Sequence, residues 1–262
     1  MTFIVMLLIG FIAGVMTGLI GASGVMVLVP GIIMLGYSTF DAIGVSLFAD
    51  TIASLVVSWT YYKAGNLNLA QGWWIVLGSV VGAQIGSFIS PHVPEVGLGN
   101  SFGIFLVVSA IIFWRRGKNN PLSLNEEAAV KEGSGNSILQ LLRKNVIASG
   151  ILLGLLVGII SGLLGAGGGV MILLILVFVM GYKMHEGVGT STLIMAFTAA
   201  SGALGHALTG NLPAKAALCS AAGTVAGGRI AARYANKVNE AKLSKIVGAI
   251  FCMLGLMMLI NM

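Results

Sequence analysis

Charged residues are scarce in this chain, since Asp, Glu, Lys and Arg together make up only 8% of its 262 residues. A soluble domain carries about 25% charged residues, so the composition excludes an ordinary soluble protein. Cysteine is rarer still, and both cysteines, Cys219 and Cys252, lie in apolar stretches. Thiols so far apart in the sequence predict neither a disulfide nor a metal cluster, and we expect both to be small core residues.

Patterns typical of catalysis are missing as well. The sequence contains no H-E-x-x-H, no nucleophile elbow and no cysteine–histidine pair at a useful spacing, which argues against an enzyme. The glycine-rich run at 165–169 is followed by Val170 where a dinucleotide fingerprint has its last glycine, and no G-K-[ST] follows it. We therefore expect no nucleotide cofactor, no other cofactor and no metal site.

Apolar sequence is abundant, because 57% of the residues are hydrophobic. A helix needs about 20 apolar residues to cross a bilayer, and the pattern predicts an all-α, multi-pass protein of the cell membrane. The first half contains apolar stretches at residues 3–36, 42–62, 69–90 and 97–114. The second half contains them at residues 146–182, 187–208, 213–234 and 244–260.

The first stretch of each half is too long for one crossing and too short for two full crossings. Glycine recurs there at every fourth position, which predicts backbone-close packing against another helix. These ridge glycines are Gly10, Gly14 and Gly18 in the first half and Gly150, Gly154, Gly158 and Gly162 in the second. Glycine clusters follow at 21–24 and 165–169. Because glycine costs about 1 kcal/mol relative to alanine inside a helix, we predict hairpins of two shortened helices that turn at the clusters.

The two halves of the chain are copies of each other. A shift of 145 residues places Ser46 on Ser191 and Gly78 on Gly223, and one gap near Ser23 makes the shift 144 for the first helices. Each half is therefore predicted to be a broken hairpin followed by three transmembrane helices. We divide the chain into a repeat at 1–115, a polar linker loop at 116–145 and a second repeat at 146–262.

Basic residues are distributed unevenly between equivalent loops. Residues 115–144 hold six Lys and Arg and residues 229–245 hold five, whereas residues 84–100, equivalent to the latter, hold none. This bias predicts that the repeats insert upside down relative to each other, with the central loop cytoplasmic and both termini outside. It also accounts for the net charge of +6 without a nucleic-acid partner. The oligomeric state stays open, a homodimer included.

Three stretches of the second half carry a family resemblance: GLLGAGGGVM at 162–171, EGVGTSTL at 186–193 and GHALTGNL at 205–212. The first half echoes them with GLIGASGVM at 18–26, AIGVSLFAD at 42–50 and YKAGNL at 62–67, although it has Ser23 and Val25 where the second half has glycines. Together they resemble the TauE/SafE family of sulfite and organosulfonate exporters over nearly the whole chain outside the central loop. The resemblance implies a permease for small anions, with sulfite, sulfoacetate and related sulfonates as the usual substrates.

The glycine clusters are the predicted binding site for a small anion. A helix start offers unpaired N–H groups and about half a positive charge, and glycine lets an oxyanion approach the backbone closely. The predicted substrate-binding residues are Gly21, Ser23, Gly24, Gly165, Gly167, Gly168 and Gly169, with hydroxyl donors from Ser46, Thr190 and Ser191.

Ionisable residues in or near the apolar stretches are candidates for coupling and gating. Asp50 is the only acidic residue inside such a stretch, and an acid at that depth indicates function. It is a proton relay, the partner of a donor such as His206 or Arg229, or a neutral or hydrogen-bonded structural residue. His206 could gate the path or carry protons, or it could simply be an interfacial or capping histidine. Arg229 and Arg233, four residues apart on one helix face, either reach lipid headgroups or funnel anions to the inner mouth.

The sequence thus predicts a transporter that exports small sulfur oxyanions by alternating access, as one repeat rocks against the other. A cell interior at −100 mV favours the loss of each negative charge by about 2.3 kcal/mol, so export needs no coupled ion. Two alternatives stay open. One is a proton-coupled importer of a small carboxylate or sulfonate, and the other is an anion channel on the same scaffold.

Overall fold

The computed structural model describes residues 2–90, 145–164 and 168–260. The predicted span at 97–114, the linker up to residue 144, Gly165 and Gly167 lie outside the described residues. The described residues form nine helices: α1 (Thr2–Ile20), α2 (Val25–Met34), α3 (Thr39–Lys63), α4 (Gly72–Ile89), α5 (Val146–Leu164), α6 (Gly169–Leu174), α7 (Met184–Leu208), α8 (Ala214–Ala235) and α9 (Glu240–Ile260). A π-helical turn, Ile175–Val179, continues α6.

Apolar helices of membrane-spanning length dominate the fold. Within the described ranges α1, α3, α4, α5 and α7 are long and apolar enough to cross a membrane, and Val25–Met34 and Gly169–Val179 are shorter apolar helices. The prediction of an all-α, multi-pass membrane protein is confirmed.

Both long apolar stretches are interrupted at the predicted glycine clusters. The first break (residues 21–24) separates α1 from α2, and Gly21 adopts a left-handed φ of 65° there. The second break is the interval between Leu164, where α5 ends, and Gly169, where α6 begins, and Gly168 within it has a φ of 74°. Gly31 of α2 lies against Ile9 of α1, which shows that the chain turns back on itself after the first break. Left-handed backbone of this kind strongly favours glycine.

The ridge glycines join the two repeats to each other. Gly10, Gly14 and Gly18 of α1 lie against the backbone of α8, while Gly154, Gly158 and Gly162 of α5 lie against the backbone of α4. A Cβ at any of these positions would overlap the facing main chain, so the predicted backbone-close packing is confirmed. The first helix of each repeat thus packs on a helix of the other repeat, and rocking whole repeats apart would pull these ridges open.

Helices α3 and α7 form an antiparallel pair in the centre of the described structure. Gly44 of α3 lies against the carbonyl oxygen of Asn211, and Gly189 of α7 lies against the carbonyl oxygen of Asn66. These four residues are repeat-equivalent, meaning that the 145-residue shift relates them, so equivalent residues make equivalent contacts. The inverted insertion of the two repeats into the membrane stays a prediction.

Candidate functional site

The two breaks meet inside the protein. Gly169, the first residue of α6, lies against the carbonyl oxygen of Gly21, and the Cα of Ala22 is 3.0 Å from where a Cβ on Gly169 would stand. Ser191 of α7 joins them, since its Oγ donates to the Val188 carbonyl at 3.0 Å and lies 3.5 Å from the Gly21 carbonyl oxygen. The structure therefore brings Gly21, Gly169 and Ser191 together, as the anion-site hypothesis requires.

The first break already holds an acidic side chain from the chain itself. Asp50 of α3 is fully buried, and its carboxylate accepts hydrogen bonds from the Ser23 hydroxyl and from the Gly24 amide at 3.2 Å. The Ser23 oxygen in turn accepts from the Val25 amide at 3.1 Å. A carboxylate at a helix start satisfies free N–H groups and balances the positive end of the helix dipole. The hydrogen-bond partners of Asp50 are thus Ser23 and Gly24, and not His206 or Arg229, which the sequence had left open as partners.

The second break has no such carboxylate at the equivalent position. The residue repeat-equivalent to Asp50 is Met195. Its sulfur lies 2.6 Å from where a Cβ on Gly169 would stand, and Gly168 supplies no side-chain cap to α6. A thioether is uncharged and only a weak acceptor, so Met195 does not balance the positive end of α6 as a carboxylate would. Sequence reasoning missed Met195, although the repeat alignment pairs it directly with Asp50.

The three predicted hydroxyl donors are used differently. Thr190 is buried and fixes a loop, because its Oγ1 accepts from the Asn68 amide at 3.0 Å and donates to the Asn68 carbonyl at 3.1 Å. Ser46, the repeat-equivalent of Ser191, is also buried, but its hydroxyl has no hydrogen-bond partner among the described residues. Ser46 therefore fits a donor role better than Thr190 or Ser191, whose hydroxyls already donate to carbonyl oxygens.

His206 makes the same kind of contact as its repeat-equivalent in the first half. Its Nε2 lies 3.3 Å from the carbonyl oxygen of Gly162, while its Nδ1 is buried without a partner in the described part of the chain. The repeat-equivalent of His206 is Tyr61, whose hydroxyl donates to the Gly18 carbonyl at 3.1 Å. Both side chains thus tie a central helix to a ridge glycine of the same repeat.

Arg229 and Arg233 lie in a pocket of about 630 Å³ between α3 and α8. Its lining residues are Leu55, Val56, Trp59, Thr60, Lys63, Arg229 and Arg233. Sequence reasoning grouped the two arginines but missed Lys63 and Trp59, because only the packing of α3 beside α8 brings them together.

Comparisons with known proteins agree with a membrane transporter of the family that the sequence resembles. The family model described as sulfite exporter TauE/SafE matches residues 6–258. The chain is 24% identical to the probable membrane transporter protein YunE of Bacillus subtilis (strain 168), over 97% of this chain and 96% of that protein. It is 24% identical to the probable membrane transporter protein YdhB of the same organism, over 97% and 98% of the two chains.

A third similar protein comes from a different organism. The probable membrane transporter protein MJ0441 of Methanocaldococcus jannaschii is 26% identical over 79% of this chain and 72% of that protein. No solved structure matches the chain.

Proposed function

The chain belongs to the sulfite exporter TauE/SafE family, and from that premise we propose that this membrane transporter exports small sulfur oxyanions such as sulfoacetate or sulfite. The observation that carries the proposal is the difference between the two breaks. The first break is balanced by the Asp50 carboxylate, whereas Met195 stands at the equivalent place beside the second. A transported anion would supply the charge that the second break lacks.

The proposed anion site is centred on the start of α6. Gly168 and Gly169 present main chain without side chains there, and the neighbouring Gly21 backbone and Ser191 hydroxyl close the site from the first break. Backbone N–H groups at a helix start bind oxyanions without a buried lysine or arginine. Gly165 and Gly167, outside the described residues, stay predicted members of the site.

The structure suggests different moving units from those expected for two rocking repeats. The ridge contacts fasten α1 to α8 and α5 to α4, with each pair drawn from both repeats. We propose that these two pairs stay intact during alternating access and that the contacts around the breaks change instead. Packed backbones separate at high cost, whereas hinges are a few residues at the ends of elements.

Proton-coupled uptake is a second candidate, favoured by one observation. Asp50 is buried and holds the amide of Gly24 and the hydroxyl of Ser23 at the start of α2. Protonation would weaken that cap and free donors for a substrate anion. An ionisable group at this depth is a candidate proton site by its position alone.

Counterflow of labelled sulfoacetate into liposomes containing the purified protein tests the proposal. We expect saturable flux that is driven by a membrane potential, negative inside the compartment that loses the anion. Flux that does not saturate and shows no counterflow would establish a channel instead. Flux that requires a pH gradient would establish proton coupling. No counterflow of any small sulfur oxyanion by folded protein would contradict the proposal.

A matched pair of variants locates the site. Met195→Asp places a carboxylate beside the second break and should reduce flux by about 100-fold, because like charges repel strongly in a buried site. Met195→Asn has nearly the same shape without the charge and should lose far less. Equal losses in the two variants would place the anion elsewhere. Replacing Gly168 is a poorer test, since its positive φ and the adjacent Val157 make any side chain there a folding defect.

A further inference from the structure

A pocket on the outside of the helix bundle carries three cations and no carboxylate. The pocket lies between the last turns of α3 and α8, and Lys63, Arg229 and Arg233 contribute the charges. None of the three forms an ion pair with a side chain in the described ranges 2–90, 145–164 and 168–260. Three cations without counter-charges among their described neighbours create a site of positive potential that attracts an anion.

The pocket changes from apolar to basic along the helix axis. Leu55 and Val56 line one end, Trp59 and Thr60 the middle, and Lys63 the other end. Eight residues of helix separate Leu55 from Lys63, which is about 12 Å along the axis. A membrane lipid has the same order over the same distance, from acyl chain through glycerol to phosphate, with tryptophan favoured at the interface. A small soluble anion would need no apolar end.

The pocket faces away from the protein core. Val57 and Tyr61 of α3 are fully buried, and Tyr61 bonds to Gly18 of α1. Trp59 and Lys63, each two residues from Tyr61, lie about 200° around the helix from it, and Trp59 is 58% exposed. The cations therefore line a surface that meets lipid, and not the path through the breaks.

Two contacts hold the pocket in shape. The side-chain Nδ2 of Asn66 donates to the side-chain Oδ1 of Asn236 at 2.7 Å, and this bond joins the ends of α3 and α8. The Lys63 ammonium lies 5.3 Å from the centre of the Trp59 ring, within the range of a cation–π contact. A pocket whose walls are already fixed loses little conformational entropy when a ligand binds.

The repeat provides an internal comparison, because α7 and α4 are the repeat-equivalents of α3 and α8. The repeat-equivalents of Arg229 and Arg233 are Gln84 and Phe88, and those of Trp59 and Lys63 are Leu204 and Leu208. None of these four residues is a cation. The basic pocket is therefore not a by-product of the fold, and it lies at the end of the bundle that the charge bias predicts to be cytoplasmic.

We propose that this pocket binds the phosphate headgroup of an anionic phospholipid from the cytoplasmic leaflet. The two arginines, four residues apart on α8, hold the phosphodiester oxygens from one side, and Lys63 holds them from the other. The acyl chains run past Leu55 along the exposed face of α3. The site is independent of the transported anion.

Native mass spectrometry of protein extracted from bilayers of phosphatidylcholine and phosphatidylglycerol in equal parts tests the proposal. The wild type should retain phosphatidylglycerol in preference to phosphatidylcholine. The triple variant Lys63→Gln, Arg229→Gln, Arg233→Gln should retain at most about a tenth of the phosphatidylglycerol that the wild type retains, since each basic residue contributes to anionic-lipid binding. The control is Lys237→Gln, Lys242→Gln, Lys245→Gln, which removes equal charge from exposed positions outside the pocket and should keep the retention of the wild type.

Further measurements separate the remaining outcomes. Arg229→Lys with Arg233→Lys should restore most of the retention, and thermal unfolding in pure phosphatidylcholine should show that the triple variant is folded. Equal loss in the triple variant and its control would overturn the proposal. Full competition by soluble glycerol phosphate would also overturn it, because the site would then bind a free anion. Loss of sulfoacetate counterflow with unchanged lipid retention would establish the inner-mouth funnel instead, and leaves the proposed function intact.

Discussion

The two breaks occupy equivalent places in the two repeats and differ in their chemistry. Each interrupts an apolar hairpin at a glycine with positive φ, and each places a helix start in the protein interior. The first helix start faces the carboxylate of Asp50, while the second faces the thioether of Met195. Repeated packing therefore does not imply repeated chemistry. In the proposed function, one acidic residue closes the first break and the second break is the place for the anion.

The ridges show the opposite behaviour, since their contacts match in the two repeats. Gly14 lies against Thr224 of α8, and the repeat-equivalent Gly158 lies against Ser79 of α4. The facing backbones leave no room for a Cβ at Gly14 or at Gly158, so both repeats have glycine at this position. The ridges are thus alike in the two repeats and the breaks are not. Variants at the ridges, at the breaks and at two hydrogen bonds to ridge glycines test this contrast.

The largest effect is expected at the ridges. Gly14→Val and Gly158→Val should each destabilise the protein by about 3 kcal/mol or more, because the new side chain meets a main-chain carbonyl that cannot move aside. Thermal unfolding in detergent and the yield of folded protein measure this. Ala226→Val, on the exposed face of α8, is the control and should change little. A severe defect in only one of the two glycine variants would show that the ridges are not equivalent.

The second-largest effect is a difference in the stability lost when a residue at each break is replaced. Asp50→Asn should cost about 2 kcal/mol, because the cap of α2 loses a charged acceptor in a buried site. Met195→Leu should cost less, since no described hydrogen bond depends on the Met195 side chain and leucine keeps an apolar side chain in that buried place. The measurement is thermal unfolding of the two variants under one set of conditions. Equal costs would mean that the Asp50 contacts contribute nothing beyond packing. A pH dependence of flux that vanishes in Asp50→Asn would favour the proton-coupled candidate.

The smallest effect compares two hydrogen bonds at ridge glycines. Tyr61→Phe and His206→Gln each disturb one bond between a central helix and a ridge glycine, which is worth about 0.6 kcal/mol on average inside a membrane protein. We expect small and similar losses of stability and little change in counterflow. If His206→Gln abolishes flux while Tyr61→Phe does not, His206 has the gating role that the sequence left open.

The sequence predicted the positions of the helices and their breaks well, for physical reasons. Apolar length sets where helices cross, and the glycine runs at 21–24 and 165–169 are too costly to continue a helix. The ridge contacts followed from glycine at every fourth position. These features depend on local sequence or simple periodicity, so no tertiary structure was needed to find them.

The contacts between distant helices could not be predicted in the same way. The cap of α2 by Asp50 and the grouping of Lys63 with Arg229 depend on how α3 packs beside α2 and α8. The pairing of α1 with α8 and of α5 with α4, across the repeats, changes the expected moving units. The sequence left a basic partner for Asp50 open as one alternative, whereas in the structure the start of α2 provides the donors and no buried cation is needed.

Equilibrium binding of labelled sulfoacetate to the purified wild type, Met195→Asp and Met195→Asn tests the central claim most directly, because it reports the anion site without requiring transport. The account predicts one saturable site in the wild type. Binding should be lost when Asp stands at position 195 and weakened far less when Asn stands there. Undiminished binding by folded Met195→Asp would show that the anion does not bind at the second break, and would contradict the account.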